Sequence, residues 1–292
     1  MVRTIGVIGL GNIGGRMTKV LLVNFEVVVF DIDAARIETL VEAGASGADS
    51  CADVGQRADV TLLSLPHNSA LEAATLGDNG VVEGLGENDV LIDTSTVSPM
   101  VSERVADACE AAGADFLDAP VSGGARNAAT GDLTILAGGD GIVIDRVQPV
   151  LEAIARTVHH VGPRGAGVTL KVVNNYLLGL HQIALAEGLA IARSAGIDDE
   201  TFTETVADSS GASYALDRNM SRFILPDEFD SEFTLDLMEK DVRLAEQFAI
   251  DNDVPLLLGG ISGFYRLASA MGYGELDCSA IVKLYENLQR DE

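Results

Sequence analysis

Short apolar runs rich in β-branched residues alternate with amphipathic stretches through the first half of the chain. The runs Ile5 to Gly9, Val27 to Asp31, Val60 to Leu65, Val90 to Asp93, Phe116 to Asp118, Leu133 to Ala137 and Thr157 to Val161 read as strands. Continuous apolar strands separated by helices predict a sheet buried on both faces, hence a mostly parallel, doubly wound α/β domain.

The pattern changes at Gly162, where Gly-Pro-Arg-Gly-Ala-Gly forms a junction and convincing strands cease. The spacing predicts a helix over Val168 to Ser194, about 40 Å long, that can connect two domains. Later helix starts are legible at Asp198, at Thr234 and at Pro255, which precedes an apolar stretch. The chain therefore divides into residues 1–162 and an all-helical part, 163–292. At 292 residues it exceeds what one core usually organises, and two domains imply a cleft.

Composition narrows the classes. No apolar run reaches the roughly 18 residues that cross a bilayer, and strand-like residues begin too early to leave room for a signal peptide. A soluble cytoplasmic protein is expected. Acidic residues outnumber basic ones 45 to 19, and the net charge of −26 argues against nucleic acid and anionic membranes as partners. Such a surface also suits a salt-rich cytoplasm, where self-repulsion is screened. Cys51, Cys109 and Cys278 have no paired-thiol or zinc spacing, and His67, His159, His160 and His181 have no metal spacing. No metal is implied.

One string carries chemistry at once. Gly9, Gly11 and Gly14 form Gly-x-Gly-x-x-Gly directly after a strand and at the opening of a helix, with Leu10, Asn12 and Ile13 between them. Gly9 permits the tight turn, Gly11 admits a pyrophosphate to the backbone, and Gly14 lets helix and sheet approach. Asp31, about twenty residues on, can accept hydrogen bonds from ribose hydroxyls and would repel a 2′-phosphate. NAD is thus preferred over NADP, with Arg36 nearby able to soften the discrimination.

At this point the sequence resembles the β-hydroxyacid dehydrogenase family. The opening glycine string is similar to that family's nucleotide loop, Asp118-Ala-Pro-Val-Ser-Gly-Gly124 to its substrate signature, and Gly165-x-Gly167-x-x-x-Lys171-x-x-x-Asn175 to its catalytic motif. Lys240-Asp241 resembles its cofactor segment, and Leu65-Pro66 and Asp93-Thr-Ser-Thr96 resemble the loops bordering the nicotinamide. The resemblance implies an N-terminal Rossmann domain joined by a long helix to a helical domain, assembled as homodimers or homotetramers. It also implies hydride transfer between NAD and a small β-hydroxy acid such as 3-hydroxyisobutyrate.

The residues fit that chemistry. Lys171 and Asn175, four apart on the predicted helix, share one face. A lysine there can handle the hydroxyl proton of an alcohol and stabilise developing alkoxide charge. Ser122, Gly123 and Gly124 offer a hydroxyl and unobstructed amides to a carboxylate. Ser95 and Thr96 can hydrogen-bond the nicotinamide ribose or carboxamide, or cap the helix before Pro99. Arg126 stands where relatives carry small residues; it is either a solvated loop residue or a forked donor to a second anionic group. Tartronate semialdehyde and sulfonated three-carbon aldehydes are therefore alternative substrates. Two other readings compete: an NADPH-dependent imine or keto-acid reductase, opposed by Lys171 and Asp31, and a non-catalytic Rossmann binding module, opposed by Lys171 and the acidic surface.

Overall fold

The apolar runs of the first half pair side by side in a computed structural model that describes residues 2–231 and 233–290. They form β1 (Thr4–Ile8), β2 (Glu26–Phe30), β3 (Ser46–Gly47), β4 (Val60–Leu63), β5 (Val90–Asp93), β6 (Asp115–Asp118), β7 (Val121–Ser122), β8 (Leu133–Gly138) and β9 (Ala155–Gly162). Among the described residues these make one sheet in the order β3-β2-β1-β4-β5-β6-β8-β7, with β9 on β8. Pairing from β3 through β6 is parallel, as continuous apolar strands require. Met17, Leu21, Val147 and Leu151 belong to the core cluster of one face, and Val54, Leu71 and Val105 to that of the other.

The far edge departs from the expected pattern. β8 runs antiparallel to β6 and β7, because Gly123 and Gly124, with φ of 127° and 70°, reverse the chain. Strands β3 and β7 have two residues each, too short to leave a period in the sequence.

The chain divides into two compact units that meet after Lys171. The long helix Ala166–Ser194 passes through that point, starting two residues before the expected Val168. Its first turn belongs to the first unit, with Val168 in the core cluster of Val54 and Val105. The second unit is helical among its described residues: after the long helix come Asp199–Ala207, Tyr214–Asn219, Leu235–Asp251, Ser262–Ala268 and Val282–Arg290. Asp198 and Thr234 cap as expected, accepting from the Thr201 and Leu237 amides. Pro255 does not begin a helix. Residues 255–261 run through turns in which Gly260 takes φ of 85°, and the next helix starts at Ser262.

Leu189, Met220, Met238, Val242 and Tyr265 centre the second core. Tyr265 is fully buried and donates to the Gly179 carbonyl at 2.9 Å. A Cβ on Gly179 would lie 2.7 Å from Val242 Cγ2, so this crossing needs glycine. All three cysteines are buried, and desolvation pushes the Cys51 thiol up to about 11 and the Cys109 and Cys278 thiols up to about 12. Among the described residues no helix is long and apolar enough to cross a membrane.

One ion pair is sealed within the second unit. Arg218 Nη2 lies 2.8 Å from Asp277 Oδ2, and the Asp277 side chain has no exposed surface. Asp277 also accepts from the Ser279 amide and hydroxyl. Removing one partner strands a buried charge. Arg218→Met is expected to cost about 3–5 kcal/mol, measured by urea unfolding; a loss below about 1 kcal/mol would show that water or a neighbour replaces the guanidinium.

Candidate active site

β1 lies between β2 and β4, so chain connections diverge at its carboxyl end, the position where parallel α/β sheets open a crevice. The glycine loop occupies that end. Gly9 has φ of 89°, donates to the Phe30 carbonyl, and would place a Cβ 2.4 Å from the Ser64 carbonyl oxygen. A Cβ on Gly14 would lie 1.9 Å from the Gly9 carbonyl oxygen. Gly11 differs, since its Cβ direction meets only Arg36 Nη1, at 3.6 Å. The first and third glycines are thus closed by packing and the middle one faces open space. The following helix, Gly14–Leu21, has no side-chain cap, which leaves its amino end to a ligand. Leu10 is buried, Ile13 packs against the core, and Asn12 is held by Arg16, which donates to its carbonyl and side-chain oxygens.

Asp31 follows β2 and is buried. Its Oδ2 accepts from the Leu10 amide at 2.6 Å and its Oδ1 from the Asp33 amide at 2.9 Å. The helix Ala34–Glu42 is capped by Asp33 instead. Asp31 therefore fastens the glycine loop to the end of β2, and Arg36 Nη1 stands 3.7 Å from it.

The loops after β4 and β5 are tied together. The Leu65 amide donates to Ser95 Oγ at 2.9 Å, and the Ser95 amide to Asp93 Oδ1 at 2.9 Å. Ser95 is buried, Thr96 half-buried and Pro66 exposed. Neither Ser95 nor Thr96 caps the next helix, which begins at Pro99 with Ser98 at its cap position. His67 has a local task, its Nδ1 accepting from the Ala70 amide at the start of Asn68–Leu76.

Further along the edge, Ser122 is half-buried in β7, and the left-handed pair Gly123–Gly124 leads into Gly124–Thr130, the helix that carries Arg126. Arg126 is exposed and has no carboxylate partner among the described residues. Most arginines of the chain do have one. Lys171 is only 8% exposed.

Two carboxylates lay inside the quoted motifs but were given no role of their own by the sequence. Asp118, 1% exposed, accepts from the Gly165 amide at 2.7 Å and the Val168 amide at 2.8 Å. In the second unit Asp241 links two expected residues: Asn175 Nδ2 donates to its Oδ2 at 2.6 Å, and Lys240 Nζ lies 3.0 Å from its Oδ1. A signal existed for Asp241, since it falls on the buried stripe of Leu235–Asp251 with Met238, Val242 and Ala245.

The loop fits a nicotinamide dinucleotide in shape and in donors, and the comparisons agree. Residues 4–162 match the NAD binding domain of 6-phosphogluconate dehydrogenase, and residues 165–285 the NAD-binding domain of NADP-dependent 3-hydroxyisobutyrate dehydrogenase. The chain is 36% identical to 2-(hydroxymethyl)glutarate dehydrogenase of Eubacterium barkeri, covering 97% of this chain and 95% of that protein. It is 37% identical to 3-hydroxyisobutyrate dehydrogenase of Pseudomonas aeruginosa, covering 96% and 98%. The chain belongs to the β-hydroxyacid dehydrogenase family.

The solved structure of Mycobacterium tuberculosis 3-hydroxyisobutyrate dehydrogenase with L-serine is similar throughout, with a TM-score of 0.90 at 29% identity over 97% of this chain and 99% of that one. As a β-hydroxyacid dehydrogenase the chain is a nicotinamide-dependent oxidoreductase of hydroxy acids. The two sequence matches part in the glycine-rich junction, whereas the compact units part after Lys171, because the first helical turn packs into the first unit.

Asp31→Ala removes the acceptor of the Leu10 amide. A hydrogen bond to a charged group contributes about 1.5–3 kcal/mol, so NADH affinity, read by the enhancement of its fluorescence, is expected to fall roughly tenfold or more. Unchanged affinity would show that the loop holds its shape without this carboxylate.

Proposed function

We propose that this β-hydroxyacid dehydrogenase oxidises a small 3-hydroxyisobutyrate-like acid with NAD, or runs the reverse reduction, with Lys171 exchanging the hydroxyl proton. The observation that carries the reading is a buried lysine in the opening turns of the long helix, in a chain with four lysines. A side-chain amine held in a shielded place can take and return a proton at a substrate hydroxyl. In oxidation the neutral amine of Lys171 takes the O–H proton; in reduction its ammonium returns a proton to the oxygen.

When bound, NAD⁺ accepts the hydride from the hydroxyl-bearing carbon and becomes NADH. The protein supplies position. Gly9 to Gly14 receive the pyrophosphate, Asp31 the adenosine ribose, and Leu65, Pro66, Ser95 and Thr96 border the nicotinamide half, with Lys240 on the cofactor side. Ser122 with the Gly123 and Gly124 amides takes the substrate carboxylate. Asn175, one helical turn from Lys171, holds the substrate hydroxyl or orients the amine. In this reading residues 1–162 bind the dinucleotide and 163–292 serve substrate binding and assembly. The buried Asp31 carboxylate favours NAD over NADP by repelling a 2′-phosphate, an effect that Arg36 moderates.

The protein works in the cytoplasm as a homodimer or homotetramer in this account. Leu257, Leu258, Phe264 and Leu267 are 97%, 63%, 45% and 49% exposed, a run of apolar surface on the second unit that a second copy would cover. The net charge of −26 supports a salt-rich setting.

A second reading concerns the acid. Arg126, without a carboxylate partner among the described residues of so acidic a chain, together with the Eubacterium barkeri relative named for a dicarboxylic hydroxy acid, supports a substrate with a second anionic group. Tartronate semialdehyde and sulfonated three-carbon aldehydes belong to the same screen.

Lys171→Ala is expected to lower turnover by about 10²–10⁴-fold while NADH still binds; turnover equal to wild type would end the proposal. Arg126→Ala should raise the KM for a dicarboxylic hydroxy acid roughly tenfold or more and leave 3-hydroxyisobutyrate unaffected. Equal effects on both acids, in a steady-state assay run with NAD and with NADP at low and high salt, would remove the second anionic group.

A further inference from the structure

We infer that Asp118 is a positioning residue for Lys171, acting through the first turn of the long helix. The inference rests on the proton-transfer reading of Lys171.

Asp118 is the last residue of β6 and is 1% exposed. Its two oxygens are divided between two main-chain donors that flank the helix start at Ala166: Oδ1 takes the Gly165 amide at 2.7 Å and Oδ2 the Val168 amide at 2.8 Å. The amides of a first helical turn have no partner within the helix, and a carboxylate there also meets the positive end of the helix dipole. Burial pushes the Asp118 carboxyl above the usual carboxylate range, and the Val168, Gly165 and Gly167 amides pull it back.

Space around the carboxylate is closed by backbone. A Cβ on Gly138 would lie 2.7 Å from both Asp118 oxygens, and one on Gly167 would lie 2.2 Å from the Leu136 carbonyl oxygen and 2.5 Å from that of Asp118. Two glycines therefore let β8 and the helix close directly on this side chain, and the helix axis is set by what the carboxylate holds. Val168 and Lys171 are three residues apart, about 4.5 Å along the axis, so a tilt at the first turn is carried straight to the amine.

A second hold acts on the outside. Arg164, two residues before the helix, donates to Glu103 and Asp107 at 2.5 and 2.9 Å and lies 3.4 Å from Glu110. Beside Asp118 in the sheet, its register partner on β5 is a second carboxylate, Asp93. An ordinary cap would tolerate asparagine. This carboxylate uses both oxygens, and asparagine offers one.

The test compares Asp118→Ala and Asp118→Asn with Lys171→Ala, reading kcat, KM, NADH affinity by fluorescence, and the pH dependence of kcat/KM. Misplacing a reacting group by about 1 Å can cost about a hundredfold, so Asp118→Ala is expected to lower kcat by roughly thirtyfold or more, with asparagine restoring part of it. NADH affinity should stay near wild type. KM and the pH limbs of kcat/KM should stay near wild type, because the carboxylate acts on the place of the amine through the helix turn. Wild-type kcat in Asp118→Ala, or a loss of NADH binding equal to the loss of turnover, would overturn the inference. Wild-type turnover in Lys171→Ala would instead overturn the reading beneath it. Should both Asp118 variants fail to fold, hydrogen exchange of the wild-type chain decides: Gly165 and Val168 amides protected like those of the sheet core support the inference, and exchange typical of an open helix end refutes it.

Discussion

A carboxylate at the end of a buried strand, giving its oxygens to main-chain amides, is the constraint on which the dinucleotide unit depends. Asp118 holds the Gly165 and Val168 amides, Asp31 the Leu10 and Asp33 amides, and Asp93 the Ser95 amide. Each stands at the carboxyl end of a parallel strand, where loops must leave the sheet without regular hydrogen bonds. Apolar packing can set how far a helix lies from a sheet, but it is non-directional and cannot orient a peptide plane. The charged acceptors do that work: one fastens the glycine loop, one the turn that meets Leu65, and one the helix carrying Lys171.

The parts of this arrangement that repeat were legible in the sequence. Buried parallel strands leave apolar runs, so β1, β2, β4, β5, β6, β8 and β9 were expected within one or two residues at most ends. The glycine loop was legible because each glycine answers to a different steric demand. What lay hidden was non-local. β7 exists because Val121 and Ser122 pair with Ile135 and Thr134, residues thirteen or so positions on that no window joins to it. Pro255 looked like a helix start, yet Gly260 takes a backbone angle that a helix excludes. Asp118 stood in plain view as the end of an apolar strand, but its partners lie forty-seven and fifty residues away.

In the second unit the same economy of charge appears in two forms. Asp241 gathers Asn175 and Lys240 on one buried carboxylate, which sets two polar side chains from different helices at a fixed separation. Arg218 and Asp277 lock the helix Tyr214–Asn219 to the segment that begins Cys278–Ile281. Buried pairs of this kind add little net stability over apolar packing, but they exclude arrangements in which either group is left alone. A chain with 45 acidic residues needs such exclusions, because its surface charge favours expansion.

The three sequestered thiols have a practical side. With Cys51, Cys109 and Cys278 buried and their ionisation displaced far to the alkaline side, thiolate is scarce at neutral pH and disulfide crosslinking between molecules lacks a nucleophile. Burial of the native thiols works against their reaction with maleimides and spin labels. A single cysteine placed on an exposed loop would carry a probe alone, and the movement of this dehydrogenase could be followed spectroscopically without first stripping out its native sulfur.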